Sequence, residues 1–128
     1  MINILLADDH GLFREGLRGL LSGQPGIDLV HTARSMREAV PLAINLKPDL
    51  VLMDFNLPDG TGLDATQQIL AENPNQKIVF LTMNDHDDRL FAAIGVGAKG
   101  YLLKNILAQD FIEYITGIIE GKTTITPI

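Results

Sequence analysis

The 128-residue chain contains no cysteine. This absence excludes a disulfide framework, thiolate metal ligands, a cysteine nucleophile and thiol-based redox sensing, and it fits a reducing compartment. Basic residues are scarce, because ten lysines and arginines stand against sixteen acidic residues and leave a formal charge of −6. An acidic domain repels a phosphate backbone, so we expect no direct contact of this domain with nucleic acid.

Long hydrophobic runs are also missing. No apolar stretch approaches the roughly 18–20 residues that a membrane-spanning helix needs. The apolar run after Met1 stops at Asp8, without the basic region or the cleavage site of a signal peptide. We therefore expect a cytoplasmic protein with no membrane partner. A hydrophobic content of 46% over the length of about one domain is that of an ordinary globular protein.

Short apolar runs alternate with longer amphipathic stretches along the chain. The runs cover residues 2–7, 27–33, 50–53, 78–81 and 99–103. Several of them are continuously apolar rather than alternating, which indicates strands buried on both faces, as in a parallel sheet between helices. The succession βαβαβαβαβα predicts a doubly wound α/β fold with five parallel strands and right-handed crossovers.

The stretches between the runs have helical periodicity. Ser35, with Glu38 three residues later, is a capping box at a helix start. Two apolar stripes at helical spacing consist of Phe13, Leu17, Leu20 and Leu21, and of Phe111, Ile112, Ile115, Ile118 and Ile119. Gly121 closes the last helix. We expect one domain over residues 1–121 and, over residues 122–128, a tail or the start of a linker to an absent output domain.

Polar side chains follow four of the five predicted strands. They are Asp8 and Asp9, Asp54 with Asn56 nearby, Thr82, and Lys104. The carboxyl ends of parallel strands share one edge of the sheet, so these side chains should converge there. Clustered carboxylates need a cation, and oxygen ligands without cysteine suit Mg²⁺. With a fixed ammonium and a hydroxyl, these are the parts that phosphoryl transfer to a carboxylate requires.

Taken in order, these motifs resemble the receiver family of two-component response regulators, the CheY-like domains, over essentially the full chain. The matching stretches are Asp8-Asp9, the segment LMDFNLPDG around Asp54, Thr82, and the segment GYLLK that ends at Lys104. The segment DDHGLFREGL at residues 8–17 is similar to receivers that are joined to a LuxR-type helix-turn-helix, the NarL/FixJ group.

The resemblance implies a role for each matching residue. Asp54 corresponds to the phosphoacceptor, and Lys104 to the lysine that pairs with a phosphoryl oxygen. Asp9 corresponds to a direct Mg²⁺ ligand, Asp8 to a ligand that acts largely through water, and Asn56 to the position whose backbone carbonyl completes the metal site. Thr82 and Tyr101 correspond to the switch hydroxyl and the switch aromatic.

The resemblance also implies a fold and partners. The fold is the flavodoxin-like (βα)5 arrangement with strand order 2-1-3-4-5. The partners are a histidine kinase as phosphodonor, a C-terminal DNA-binding domain that controls transcription, and a second copy of the chain in a homodimer. A receiver catalyses only its own phosphorylation and dephosphorylation, so no separate turnover substrate is expected.

Two other functions stay open on the residues alone. A phosphohydrolase of the haloacid-dehalogenase type also uses an aspartate nucleophile and Mg²⁺, but its nucleophile lies after the first strand in an Asp-x-Asp motif, whereas Asp8 and Asp9 are adjacent and Asp54 follows the third strand. The other alternative is a binding scaffold that works without phosphorylation. Many receivers have proline after the lysine where this chain has Asn105, so the isomer of the Lys104–Asn105 bond is left open.

Several residues also have an ordinary structural interpretation. Asp8 and Asp9 could cap the first helix. Tyr101 could be a plain half-buried strand aromatic, and Tyr114 could pack in the core or face a partner. Surface or packing roles are expected for three scattered histidines: His10, His31 and His86. Three acidic residues are expected to cap the predicted helix between the fourth and fifth strands: Asp85, Asp87 and Asp88.

Overall fold

Five parallel strands form the central sheet of the computed structural model, which describes residues 2–83, 92 and 94–121. The strands are β1 (Ile2–Ala7), β2 (Ile27–Ala33), β3 (Leu50–Asp54), β6 (Ile78–Thr82) and β7 (Gly100–Leu103). Their spatial order is β2-β1-β3-β6-β7, and every neighbouring pair is parallel. The predicted order 2-1-3-4-5 is therefore confirmed. Strands β3 and β6 each run one residue further than the apolar runs.

Four helices flank this sheet within the described part of the chain. They are α1 (Gly11–Ser22), α2 (Met36–Leu46), α3 (Gly62–Glu72) and α4 (Ala108–Ile119). One core cluster joins α2 and α3 to one face of the sheet, and a second joins α1 and α4 to the other face. Alternate residues of β1 enter different clusters, Leu5 the first and Leu6 the second. Both faces are thus buried, which is why the runs are continuously apolar.

A short hairpin follows β3 directly. Its strands, β4 (Asn56–Leu57) and β5 (Gly60–Thr61), pair in antiparallel fashion. No strand was predicted here from the sequence, because two-residue strands are too short to show a period. The hairpin carries Asp59, whose carboxylate accepts hydrogen bonds from the backbone N–H groups of Met36 at 2.7 Å and Arg37 at 2.9 Å. These bonds lower the pKa of Asp59 and tie the hairpin to the first turn of α2.

The predicted cap of α2 is confirmed. Ser35 Oγ accepts a hydrogen bond from the backbone N–H of Glu38 at 3.2 Å. The Glu38 carboxylate reaches back to the N–H of Arg34 at 2.7 Å, one residue before the position of a standard capping box. The N–H groups in the first turn of α2 are therefore satisfied by two side chains, that of the N-cap residue Ser35 and that of Asp59 in the hairpin.

The predicted helical stripes are confirmed. Two leucines of α1 and three residues of α4 are buried in the same core cluster on one face of the sheet: Leu17, Leu21, Phe111, Ile115 and Ile118. After α4, Gly121 adopts a positive φ of 93°, and its N–H bonds to the carbonyl of Ile118 at 3.1 Å, as expected for a glycine that closes a helix.

Tyr114 belongs to the core. Its exposed fraction is 3%, which decides against the alternative of a partner-facing aromatic on α4. Burial raises the pKa of Tyr114 to about 12, and a hydrogen bond with the backbone of Tyr101 only partly offsets this effect. The ionised phenolate is therefore disfavoured in the folded chain.

We predict an alkaline loss of stability that depends on Tyr114. Above the ordinary tyrosine pKa of about 10 the unfolded chain loses the phenolic proton before the folded chain does, so the free energy of unfolding falls with pH until about pH 12. Between about pH 8 and pH 11 wild type should lose about 1.4 kcal/mol more than Tyr114→Phe. Urea unfolding of both proteins at both pH values measures this difference, and parallel pH profiles would contradict it.

Three further expectations concern backbone and sequence features. No cis peptide bond occurs among the described residues, so the Lys104–Asn105 bond is trans. Within those same residues no helix has both the length and the apolar character for crossing a membrane. The expected capping by Asp85, Asp87 and Asp88, the role of His86 and the tail at residues 122–128 lie outside the described residues.

Candidate functional site

The strand register brings three of the predicted side chains, Asp8, Asp54 and Lys104, to the carboxyl edge of the sheet. Ala7 at the end of β1 pairs with Met53, so Asp8 and Asp54 follow on neighbouring strands. Thr82 pairs with Leu103, and the backbone N–H of Lys104 bonds to the carbonyl of Thr82 at 2.8 Å. The β7 strand thereby delivers the Lys104 side chain to the same edge.

Lys104 bridges two carboxylates. Its Nζ lies 2.7 Å from Asp8 Oδ2 and 2.9 Å from Asp54 Oδ2, and these three side chains are 0–5% exposed. The ammonium also lies 4.9 Å from the centre of the Phe13 ring, within the range of a cation–π contact. Together with Asp9, the carboxylates carry three negative charges against one ammonium. This excess of negative charge favours the binding of a further cation.

Burial perturbs both partners of the central ion pair. Burial raises the pKa of Asp54, and repulsion from Asp8 adds to this, while hydrogen bonds from Lys104 and from the Asn56 backbone act in the opposite direction. Burial disfavours the ammonium of Lys104, but its hydrogen bonds to Asp8 and Asp54 outweigh burial and raise its pKa. Lys104 is therefore a fixed positive charge, and burial disfavours the ionised form of Asp54.

Backbone contacts hold the two buried carboxylates in place. Asp8 Oδ1 accepts the N–H of His10 at 2.8 Å, and the Asp8 carbonyl accepts a bond from Arg14 at 2.9 Å. Asp54 Oδ1 accepts the N–H of Asn56 at 3.1 Å. His10 is the N-cap residue of α1 and its side chain makes no capping hydrogen bond, while the Asp8 carboxylate bonds to the N–H of His10 itself.

The other predicted site residues lie around this centre. Asn56 is exposed at the start of the hairpin, directly beyond Asp54. Thr82 is the last residue of β6 and is buried, with 5% of its surface exposed. Tyr101 is half-buried in β7, opposite Phe80 in the register, and packs against the core cluster below α2 and α3.

His10 joins the cluster, which the sequence analysis did not predict. Its Nδ1 lies 3.3 Å from Asp8 Oδ1, 3.8 Å from Asp9 Oδ1 and 3.3 Å from Lys104 Nζ. His10 is a surface residue, as expected, with 68% of its side chain exposed, but it also offers a ligand atom to this cluster. The available signal was its position directly after Asp8-Asp9, in the turn that enters α1.

The donor set fits a hard divalent cation. Asp8, Asp9, His10 and Asp54 each offer one ligand atom, and these atoms lie within 4.8 Å of one another. Three of the four ligand groups are carboxylates, which Mg²⁺ prefers. The carboxylates of Asp8, Asp9 and Asp54 are the groups that would hold it.

We predict that removing the Lys104 ammonium destabilises the fold. Lys104→Met leaves two buried carboxylates side by side without a counter-charge, and the free energy of unfolding should fall by roughly 2–3 kcal/mol in the absence of divalent metal. Adding Asp54→Asn to this variant should restore part of the loss, because one unpaired charge is removed. Urea unfolding with Lys99→Met as the matched control measures both effects. A Lys104→Met variant with the same free energy of unfolding as wild type would contradict the bridging role.

Comparison with known protein families gives one match that covers most of the chain. The model described as "Response regulator receiver domain" matches residues 4–116. Among curated proteins, the transcriptional regulatory protein LiaR of Bacillus subtilis (strain 168) is 38% identical over 122 residues, which are 95% of this chain and 58% of LiaR. The transcriptional regulatory protein DegU of Brevibacillus brevis is 34% identical over 98% of this chain and 53% of DegU. The chain thus spans little more than half the length of these relatives.

Solved structures agree with the fold. A two-component response regulator of the LuxR family from Aurantimonas sp. SI85-9A1 superimposes with a TM-score of 0.86 and 33% identity, covering 100% of this chain and 89% of that one. The signal receiver domain of the putative response regulator NarL from Mycobacterium tuberculosis superimposes with a TM-score of 0.87 over 94% of this chain and 97% of that one. At 24% identity, the second match bears on the fold alone.

Proposed function

Because the chain belongs to the response regulator receiver domain family, we propose that it accepts a phosphoryl group on Asp54 from the phosphohistidine of a histidine kinase. The observation that carries this proposal is the bridge from Lys104 Nζ to Asp54 Oδ2 at 2.9 Å and Asp8 Oδ2 at 2.7 Å. This bridge supports the proposal because it pairs the Asp54 carboxylate with an ammonium beside two further acidic side chains, Asp8 and Asp9.

In this reaction a carboxylate oxygen of Asp54 attacks the phosphorus of the donor. An oxygen–phosphorus bond forms as the nitrogen–phosphorus bond breaks, and the leaving imidazole takes up a proton from water. Lys104 stays protonated, as its raised pKa favours, and is close enough to pair with a phosphoryl oxygen. A magnesium ion held by Asp8, Asp9, Asp54 and the backbone carbonyl of Asn56 would supply positive charge to the phosphoryl oxygens.

Thr82 and Tyr101 are proposed to form the switch. Thr82 lies at the end of β6 and its backbone is bonded to that of Lys104, so a hydroxyl that turns toward a phosphoryl oxygen would also alter the neighbouring strand β7. Tyr101 in β7 would then move inward. A nearly complete shift, from 1:99 to 99:1, requires about 5.5 kcal/mol of differential binding of the phosphoryl group to the two conformers.

The output is proposed to be transcriptional control. LiaR and DegU are named as transcriptional regulatory proteins, and this chain matches about half of each. We infer a receiver domain over residues 1–121, a linker that begins at residues 122–128, and a DNA-binding domain of the LuxR type beyond it. Homodimerisation of the receiver and a cytoplasmic location belong to this proposal.

The receiver is proposed to act on itself rather than to turn over a separate substrate. The family match favours this reading over a phosphohydrolase of the haloacid-dehalogenase type. A scaffold that works without phosphorylation is also disfavoured, because it has no need for a buried carboxylate held by an ammonium.

Labelling with acetyl phosphate tests the proposal. Intact-mass spectrometry should show the addition of one phosphoryl group in the presence of Mg²⁺ and none in the presence of excess EDTA. A parallel assay with p-nitrophenyl phosphate should show no turnover. Sustained turnover would support the hydrolase, and a chain that takes up no phosphoryl group with Mg²⁺ would support the scaffold.

A further inference from the structure

The cation site has two chemically different sides. Lys104 occupies one side, where it contacts the Oδ2 atoms of Asp8 and Asp54, and this side is nearly closed to solvent. His10 and Asp9 form the solvent-facing side, with side chains that are 68% and 40% exposed, and His10 Nδ1 also lies 3.3 Å from Lys104 Nζ. An ion that enters from solvent therefore meets His10 and Asp9 first.

The His10 imidazole nitrogen has the geometry of a ligand. Its Nδ1 is 3.3 Å from Asp8 Oδ1 and 3.8 Å from Asp9 Oδ1. Neighbouring ligand atoms of one divalent ion lie about 3.0–3.4 Å apart when the metal–ligand bonds are 2.0–2.1 Å long. The distance to Asp8 already lies in this range, and the distance to the exposed Asp9 is a few tenths of an ångström longer.

The backbone keeps His10 at this place. Its N–H bonds to Asp8 Oδ1 at 2.8 Å, and its carbonyl accepts the N–H of Arg14 at 2.9 Å in the first turn of α1. In the tautomer that carries its proton on Nε2, the His10 Nδ1 lone pair can accept a hydrogen bond from Lys104 Nζ, 3.3 Å away, or bind a metal ion in its place.

From this arrangement we propose that His10 is a nitrogen ligand that selectively strengthens the binding of borderline divalent ions such as Co²⁺ and Zn²⁺. Imidazole suits these ions, whereas Mg²⁺ takes oxygen ligands and retains water. The acidic residues alone thus serve Mg²⁺, and His10 adds affinity mainly for the borderline ions. This inference rests on the proposed function in that both use the same cation site.

Co²⁺ titration of the purified chain, followed by visible absorption, tests the proposal. His10→Gln should raise the dissociation constant for Co²⁺ by roughly tenfold or more, since even the loss of an outer partner of a metal ligand has an effect of that size. The dissociation constant for Mg²⁺, measured by competition with Co²⁺, should rise much less, so that the ratio of the two constants changes. The matched control is His31→Gln in β2, which should bind both ions as wild type does.

Two outcomes would overturn the proposal: an unaltered Co²⁺ affinity of His10→Gln, or an equal loss of affinity for both ions. A second readout needs no variant, because bound Co²⁺ should give hyperfine-shifted imidazole proton resonances in the wild-type NMR spectrum. Acetyl phosphate labelling with Mg²⁺ is run on the same samples. If wild type and His10→Gln are both labelled and have the same Co²⁺ affinity, this inference fails and the receiver function stands. If wild type is not labelled, the receiver function fails.

Discussion

The Asp54→Asn variant is expected to take up no phosphoryl group from acetyl phosphate and Mg²⁺ under conditions in which wild type takes up one. The carboxamide keeps the shape of the side chain and can still accept the hydrogen bond that Lys104 now donates at 2.9 Å. It lacks the anionic oxygen that attacks phosphorus, so the covalent step itself is lost. Intact-mass spectrometry measures the loss directly.

The same variant should remain folded. Burial raises the pKa of Asp54, so the ionised carboxylate lowers the free energy of unfolding. A neutral side chain at this position removes that destabilisation. Urea unfolding near neutral pH should therefore show a stability no lower than that of wild type. Asp28→Asn on the exposed surface of β2 is the matched control and should be labelled normally. Wild-type labelling of Asp54→Asn would place the phosphoacceptor elsewhere.

Gly62→Ala is expected to lower the free energy of unfolding by about 4 kcal/mol or more, or to prevent folding. A Cβ at Gly62 would lie 2.2 Å from the backbone carbonyl oxygen of Asp54 and 3.0 Å from a ring carbon of Phe80. Neither neighbour can yield easily, because Phe80 is fully buried and stacks on Phe55 at 4.6 Å. Helix α3 would have to move away from Asp54 at the end of β3.

A second glycine substitution separates this clash from a general effect of alanine. Gly19 lies on the exposed face of α1, and a Cβ there would meet no atom within 4 Å. Gly19→Ala should therefore stabilise the chain by roughly 0.5–1 kcal/mol, as expected for alanine in a helix interior. Thermal and urea unfolding should therefore show a loss of stability for Gly62→Ala and a gain of stability for Gly19→Ala. A stable, normally labelled Gly62→Ala would show that α3 need not press against Asp54.

The architecture could be predicted from the sequence because its signals are local. Leu50 to Met53 are apolar on both strand faces, and such a run requires cover on each side of the sheet. The stripe that contains Leu17 and Leu21 has the helical period, and the cap at Ser35 is formed by residues three positions apart. None of these features depends on which distant segment becomes the neighbour.

The contacts of the site are different in kind. That Asp54 and Lys104 lie at strand ends follows from the sequence, but that Lys104 reaches both Asp8 and Asp54 depends on the register of β7 beside β6 and on one side-chain conformation. His10 had no periodicity or spacing to mark it as part of the site. Its place was decided by the turn between β1 and α1.

The sequence by itself determined the layers of this protein, the order of its element types and the polar residues at the carboxyl ends of its strands, because burial on two faces and helical period are properties of short segments. Only the tertiary structure decided which polar groups meet. The Asp59 contact with α2, the approach of Gly62 to Asp54 and the position of His10 beside Lys104 all join separate segments through space. Such contacts depend on strand register and side-chain direction, which no local pattern specifies.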